Sequence, residues 1–257
     1  MPILTEPLPL TLALVVGMLL ATALGHRGGL RRRAVDRQAT HGVGAMNAAV
    51  FALLGLMVAF TFSGAASRFD VRRALVTEEC NDIGTAWLRL DLLPAEAQAR
   101  LRERLRQYLD SRLQTYRVLP DVDAAMAELR HTDALQQGIW AVAVAACEAK
   151  GDAATKTLVL GALNTMFDIT GTRTAAALHH TPPLIFALLF LLALGCALLA
   201  GHGMAGAAKV DWLHCLVFTA MMAPCVYVIL DLEYPRSGVF RLDAYDQQLV
   251  DLRAKMG

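Results

Sequence analysis

GLMVAFTFSGAASRFDVRRALVTEECNDIGTAWLRLDLLP, residues 55–94, is the stretch that decides the fold. It opens as an uncharged apolar segment and becomes, with no internal proline, a charged one that stops at Pro94. Apolar residues keep helical spacing throughout. The stretch therefore predicts one long helix that leaves a membrane and continues into water. Such continuity would couple a bilayer segment rigidly to a soluble domain.

The flanking sequence fits that reading. At 56% hydrophobic and 18% charged residues, with mean hydropathy +0.43, the chain is too apolar for an ordinary soluble domain of its 257 residues. Four windows carry no Asp, Glu, Lys or Arg: Pro7–Gly25, Ala45–Gly64, Pro183–Gly201 and Trp212–Leu230. A hydrocarbon core of about 30 Å takes roughly 20 helical residues, so each window is long enough to span it. The first window has no basic segment before it and basic residues after it, which marks a retained span rather than a signal peptide. The expectation is an all-α membrane protein with four transmembrane helices. Residues 1–64 form an N-terminal hairpin, 65–182 a helical insert, 183–230 a C-terminal hairpin, and 231–257 a turn and a short amphipathic helix.

Within the insert, Leu101, Leu105, Tyr108, Leu109, Leu113 and Tyr116 mark one helical face, and the arginines and glutamate between them mark the other. Pro94 and Pro120 punctuate it. Asp121 or Asp123 is placed to cap the next helix, and Gly151-Asp152 reads as a helix stop followed by a start. Helices are expected to Leu93 and over about 95–117, 122–150 and 153–178. Pro183 suits the first turn of the third span, and Pro224 should kink the fourth. Tyr245, Leu249, Leu252 and Met256 give the tail an apolar side.

A net charge of +1 offers no case for nucleic acid. Arginine is 20 of the 24 basic residues, which suggests a GC-rich bacterial genome and hence a bacterial inner membrane. Five arginines (Arg27, Arg31, Arg32, Arg33, Arg37) crowd the 26–44 loop. The positive-inside rule then places this loop in the cytoplasm and the insert in the periplasm, although Arg68, Arg72 and Arg73 flank the other end of the second span. Cys80 and Cys147 are the pair that could form a disulfide in an oxidising compartment. Cys196, Cys215 and Cys225 fall in apolar spans. No HExxH, P-loop, GxGxxG or nucleophile elbow occurs, so neither catalysis nor a cofactor is expected.

Two stripes carry the functional reading. Glu78, Asn81, Asp82, Thr85 and Arg89 share one face of the long helix, with Glu79 beside them and Arg68 and Arg72 preceding them. Asn164, Asp168 and Arg173 are placed to join this polar network. It sets helix register, or it offers the carboxylates of Glu78, Glu79 and Asp82 to a hard cation. On the second span, Ala45, Ala48, Ala52, Gly55, Ala59 and Ser63 form a small-residue stripe. It serves packing within the protomer, or it is a pore-lining or subunit-contact face with Phe51, Val58 and Phe62 as constrictions. Asp231, at the end of the fourth span, is expected to be an interfacial polar anchor.

The runs FTFSGAASRFDVRRALVTEECNDIGTAWLRLDLLP, LNTMFDITGTR (163–173) and VILDLEYPRSGVFRL (228–242) resemble the bacterial bestrophin-like domain family over nearly the whole chain. Cys80 departs from the small residue expected there. The resemblance implies a relation to bestrophins, which are pentameric anion channels with helices around a central pore and a large cytoplasmic helical region. Two functions follow as expectations. One is a homo-oligomeric channel for small ions with the second span near the pore. The other is a non-conducting sensor or scaffold whose insert binds a partner or ligand while the spans anchor it in the bilayer.

Overall fold

The structure, a computed structural model, describes residues 6–35, 44–119, 121–206, 209–235 and 238–257. Arg37, Pro120 and positions 236–237 of the tail turn lie outside the described residues. Among the described residues eight α-helices follow one another: α1 (Pro7–Val35), α2 (Gly44–Arg89), α3 (Ala95–Arg117), α4 (Val122–Lys150), α5 (Ala153–Leu178), α6 (Pro183–Gly203), α7 (Trp212–Glu233) and α8 (Asp243–Lys255). No strand occurs among the described residues. Among the described residues four helical stretches are long and apolar enough to cross a membrane: α1, α2, the run ending in α6, and α7. The long helix is unbroken from Gly44 to Arg89 and tightens into a 3-10 turn at Leu90–Leu92 before Pro94.

The chain divides into two compact units, with α2 contributing to both. The first comprises residues up to Phe69 and His180–Phe240. Here α1 packs against α6 and α7, and the contact is made at glycine. A Cβ on Gly25 would strike the Leu198 carbonyl, and one on Gly201 would strike the Thr22 carbonyl. Gly29 faces Ala205 and the His202 carbonyl, and a Cβ on Gly17 would lie 2.9 Å from Leu194 Cδ2. Lipid tails give no hydrophobic drive for helix association, so close backbone approach through small residues supplies the packing. Met18, Leu54, Phe186, Leu189, Ala193, Cys196, Val226 and Leu230 fill the interior. α7 continues through Pro224.

The second unit holds Asp70–His179 and Arg241–Gly257, so the tail belongs with it. α3 packs on α4, α4 on α5, and α8 on α3. The Asp121 carboxylate accepts the Ala124 amide at 3.0 Å, Gly151 stops α4 in the left-handed region (φ 68°), and Asp152 caps α5. Each signal satisfies backbone groups that a helix end leaves unpaired. Leu101, Leu105, Tyr108 and Leu109 of α3 are fully buried with Ile139, Leu163, Met166 and Leu249.

The glycine contacts give a direct expectation. Gly201→Ala should cost about 1–3 kcal/mol through overpacking. Gly28→Ala, with open space around it, should be neutral or mildly stabilising. Thermal unfolding of the purified variants in detergent checks both.

Candidate functional site: the open face of α2 and its charged anchors

α2 is held by buried carboxylate–arginine pairs, supplying the arginine of one (Arg68) and the carboxylate of the other (Glu79). In the first unit Glu233 is fully buried at the end of α7. It accepts from Arg68 Nε at 3.0 Å and Nη2 at 2.7 Å, and from the Thr181 amide at 2.7 Å and hydroxyl at 3.1 Å. His180 Nδ1 stands 3.4 Å from its other oxygen, and the His180 ring stacks on Tyr234. One carboxylate thus ties α2 to the start of α6 and the end of α7.

Asp231, two residues earlier, is fully buried too. Its Oδ2 accepts the amides of Val239 at 2.9 Å and Phe240 at 3.0 Å, capping the returning loop. A side chain on Gly238 would overlap this carboxylate, so the DLEYPRSG turn needs glycine there.

In the second unit the anchor is Glu79, fully buried where Leu75, Val76, Ile83 and Ala86 form the inner face of α2. It accepts from Arg112 Nε at 2.6 Å, from Arg173 Nη1 and from the Tyr116 hydroxyl at 3.3 Å. Arg173 reaches Asp246 of α8 at 3.4 Å, and both guanidiniums lie over the Tyr116 ring, at 4.0 and 5.0 Å. Burial by itself would raise the Glu79 pKa. The charges and hydrogen bonds of Arg112 and Arg173 more than reverse this and hold it below the ordinary carboxylate range. Burial pushes the neighbouring Tyr108 phenol up to about 12, and its hydroxyl meets Thr170 at 2.8 Å. Arg72 donates to the carbonyls of Ala176 (3.0 Å) and His179 (2.8 Å), at the negative end of α5.

The expected single polar network is therefore several separate ones. Arg68 pairs in the first unit, while Arg72 and Arg173 pair in the second. Glu78 and Asn81 are exposed, and Asn164 bonds Asp168 at 2.9 Å on an open face. Arg89 donates to the Leu158 carbonyl. Asp82 is half-buried with Oδ2 unpartnered, and burial plus the charges of Glu78 and Glu79 raise its pKa. Glu78, Glu79 and Asp82 do not form a metal-binding group among the described residues, because Glu79 points inward to arginine. Cys80 and Cys147 are free thiols; Cys80 faces the Gln248 carbonyl, and Cys147 lies in the core.

Ala45, Ala48, Ala52, Gly55, Ala59 and Ser63 are all exposed. The expectation that they pack within the protomer is thus corrected; α1 and α6 make that contact instead. Phe62, on the same side, is 45% exposed. Phe51 is half-buried against Phe218, with ring centroids 5.7 Å apart, and Val58 is half-buried against the core. The sequence reading missed Glu233, Arg112 and the inward turn of Glu79. The last was signalled by an acid inside the apolar 75–86 stripe.

These features define a helical membrane protein whose second span is anchored by buried ion pairs and open along one face. Residues 12–244 match the Bestrophin-like domain, and the chain belongs to that family. Its fold is also that of crystal structures of a bacterial bestrophin homologue from Klebsiella pneumoniae. One variant superposes with TM-score 0.71 at 17% identity, over 95% of this chain and 98% of that one. A structure phased on zinc gives 0.68 at 16%, over 93% and 98%. No curated protein matches by sequence.

Glu79→Gln strands buried Arg112 and leaves Arg173 only Asp246 as a charge partner, and should cost about 3–5 kcal/mol. In the wild type the Glu79 contribution is complete above the ordinary carboxylate pKa and is lost as pH falls through its depressed value. Asp82→Asn should act oppositely. A raised carboxylate pKa favours the neutral form, so the variant should gain stability at pH 7 and lose that advantage below about pH 4. Thermal unfolding against pH reads both signs.

Proposed function

We propose that the protein is a homo-oligomeric channel for small ions, with copies meeting along the open face of α2. One observation carries this reading: α2 leaves a strip of small residues exposed along one face. α1 exposes Leu8, Leu12, Val16, Leu20 and Leu24, and α6 and α7 expose Leu184, Leu191, Leu213 and Met221. Such side chains suit lipid. α2 also exposes Leu53, Leu56 and Phe60, but beside them one face carries only alanine, glycine and serine, which suit close helix contact or a water-lined path. Phe62, next to Ser63, is the constriction in this reading, since Phe51 and Val58 are turned partly into the core.

Family membership and the fold likeness support the same function, because bestrophins conduct through a pore between copies. The membrane is the bacterial inner membrane. The insert is assigned to the periplasm because exposed Arg27, Arg31 and Arg32 fall between the first two apolar windows, in a segment that the positive-inside rule places in the cytoplasm.

Reconstituted protein should pass chloride, potassium, sodium or divalent ions in a liposome flux assay, and Phe62→Ala should change the rate. Absence of flux for all of them across several pH values would overturn the reading in favour of a non-conducting sensor or scaffold. For sidedness, Gly28→Cys in a background lacking the native cysteines should react with an impermeant maleimide only after the membrane is opened. Labelling of intact cells would place the insert in the cytoplasm.

A further inference from the structure

We infer that the outer face of α1 is a binding site for an anionic phospholipid, its phosphate held between Arg27 and Arg31. Leu20, Leu24, Arg27 and Arg31 follow at i, i+4, i+7 and i+11, so they line one helical face. Leu20 is 60% and Leu24 59% exposed. Below them Val16 and Leu12 continue an exposed apolar strip that ends at the two guanidiniums.

α1 stays helical to Val35, ten residues past the apolar window, so the arginines project from a formed helix. Arg27, Arg31 and Arg32 are exposed, and none has a hydrogen-bond or ion-pair partner among the described residues. Four residues of helix rise about 6 Å, a spacing at which two guanidinium forks can grip one phosphate.

The headgroup level is marked independently. Gly29 faces Ala205, and Gly206 lies 2.9 Å (from a Cβ placed on it) from Arg33 Nη1, so this end of α1 shares its side of the first unit with the α6–α7 turn. At that turn Lys209 is exposed, and Trp212, 47% exposed, opens α7. A half-exposed tryptophan at the end of a span is an interfacial anchor. It sets the arginines at the depth of lipid phosphates, with the leucines at the depth of acyl chains. An apolar strip joined to unpaired cations fits a lipid rather than free phosphate.

The test measures lipid retention by native mass spectrometry from micelles holding equal amounts of phosphatidylglycerol and phosphatidylcholine. Wild type should retain phosphatidylglycerol preferentially. At about 1 kcal/mol per arginine near the surface, Arg27→Gln with Arg31→Gln should weaken that binding roughly thirtyfold. The control pair Arg100→Gln with Arg130→Gln, exposed in the second unit, should leave it unchanged. For wild type alone, raising salt to 1 M, where the Debye length is about 3 Å, should reduce the preference. Equal retention of the two lipids, an unaltered preference in the double variant, or a preference indifferent to salt would each overturn the site. Displacement of the lipid by inorganic phosphate would overturn its assignment to lipid.

Discussion

A helix that runs unbroken from an apolar first half into a charged second half must exchange one kind of packing for another. In this protein buried carboxylates paired with arginine govern that exchange. Glu233 receives Arg68 of α2 in the first unit, and Glu79 of α2 receives Arg112 and Arg173 in the second. A buried ion pair adds little net stability over a well-packed apolar core, but losing one partner is costly. Its consequence here is register. Glu79 can be buried in only one rotation of α2, and that rotation sends Leu75, Val76, Ile83 and Ala86 inward with it.

With the inner face fixed, the outer face follows from the helical repeat. The side of α2 opposite Leu54 and Ala65 carries Ala52, Gly55, Ala59 and Ser63, and these are exposed. The chain's tight helix contact is built elsewhere, from Gly25 and Gly29 of α1 against Gly201 and Ala205 around α6. The small residues of α2 therefore remain exposed, and in the proposed channel they meet another copy of the chain. In the first unit α1 thus exposes leucine and valine, while one face of α2 exposes alanine, glycine and serine.

Much of this was legible in the sequence. Uncharged windows marked the spans because a bilayer core excludes charge, and Asp121, Gly151 and Asp152 fixed helix ends because backbone capping is local chemistry. Partners distant in the chain were not legible. Glu233 bonds Arg68 across 165 positions and Arg173 reaches Glu79 across 94. The small-residue stripe was visible, but its occupant was not. Spacing shows that alanines share a face, and only the packed structure shows that α1 and α6 have already met without them.

The central claim is that the open face of α2 meets itself in an assembly, and cysteine crosslinking in native membranes tests it most directly. In a background lacking the native cysteines, Ala59→Cys is expected to give oxidation-dependent covalent dimers. Leu20→Cys, on the lipid face of α1, is expected to remain monomeric. Dimers from Leu20→Cys alone, or none from either position, would contradict the account.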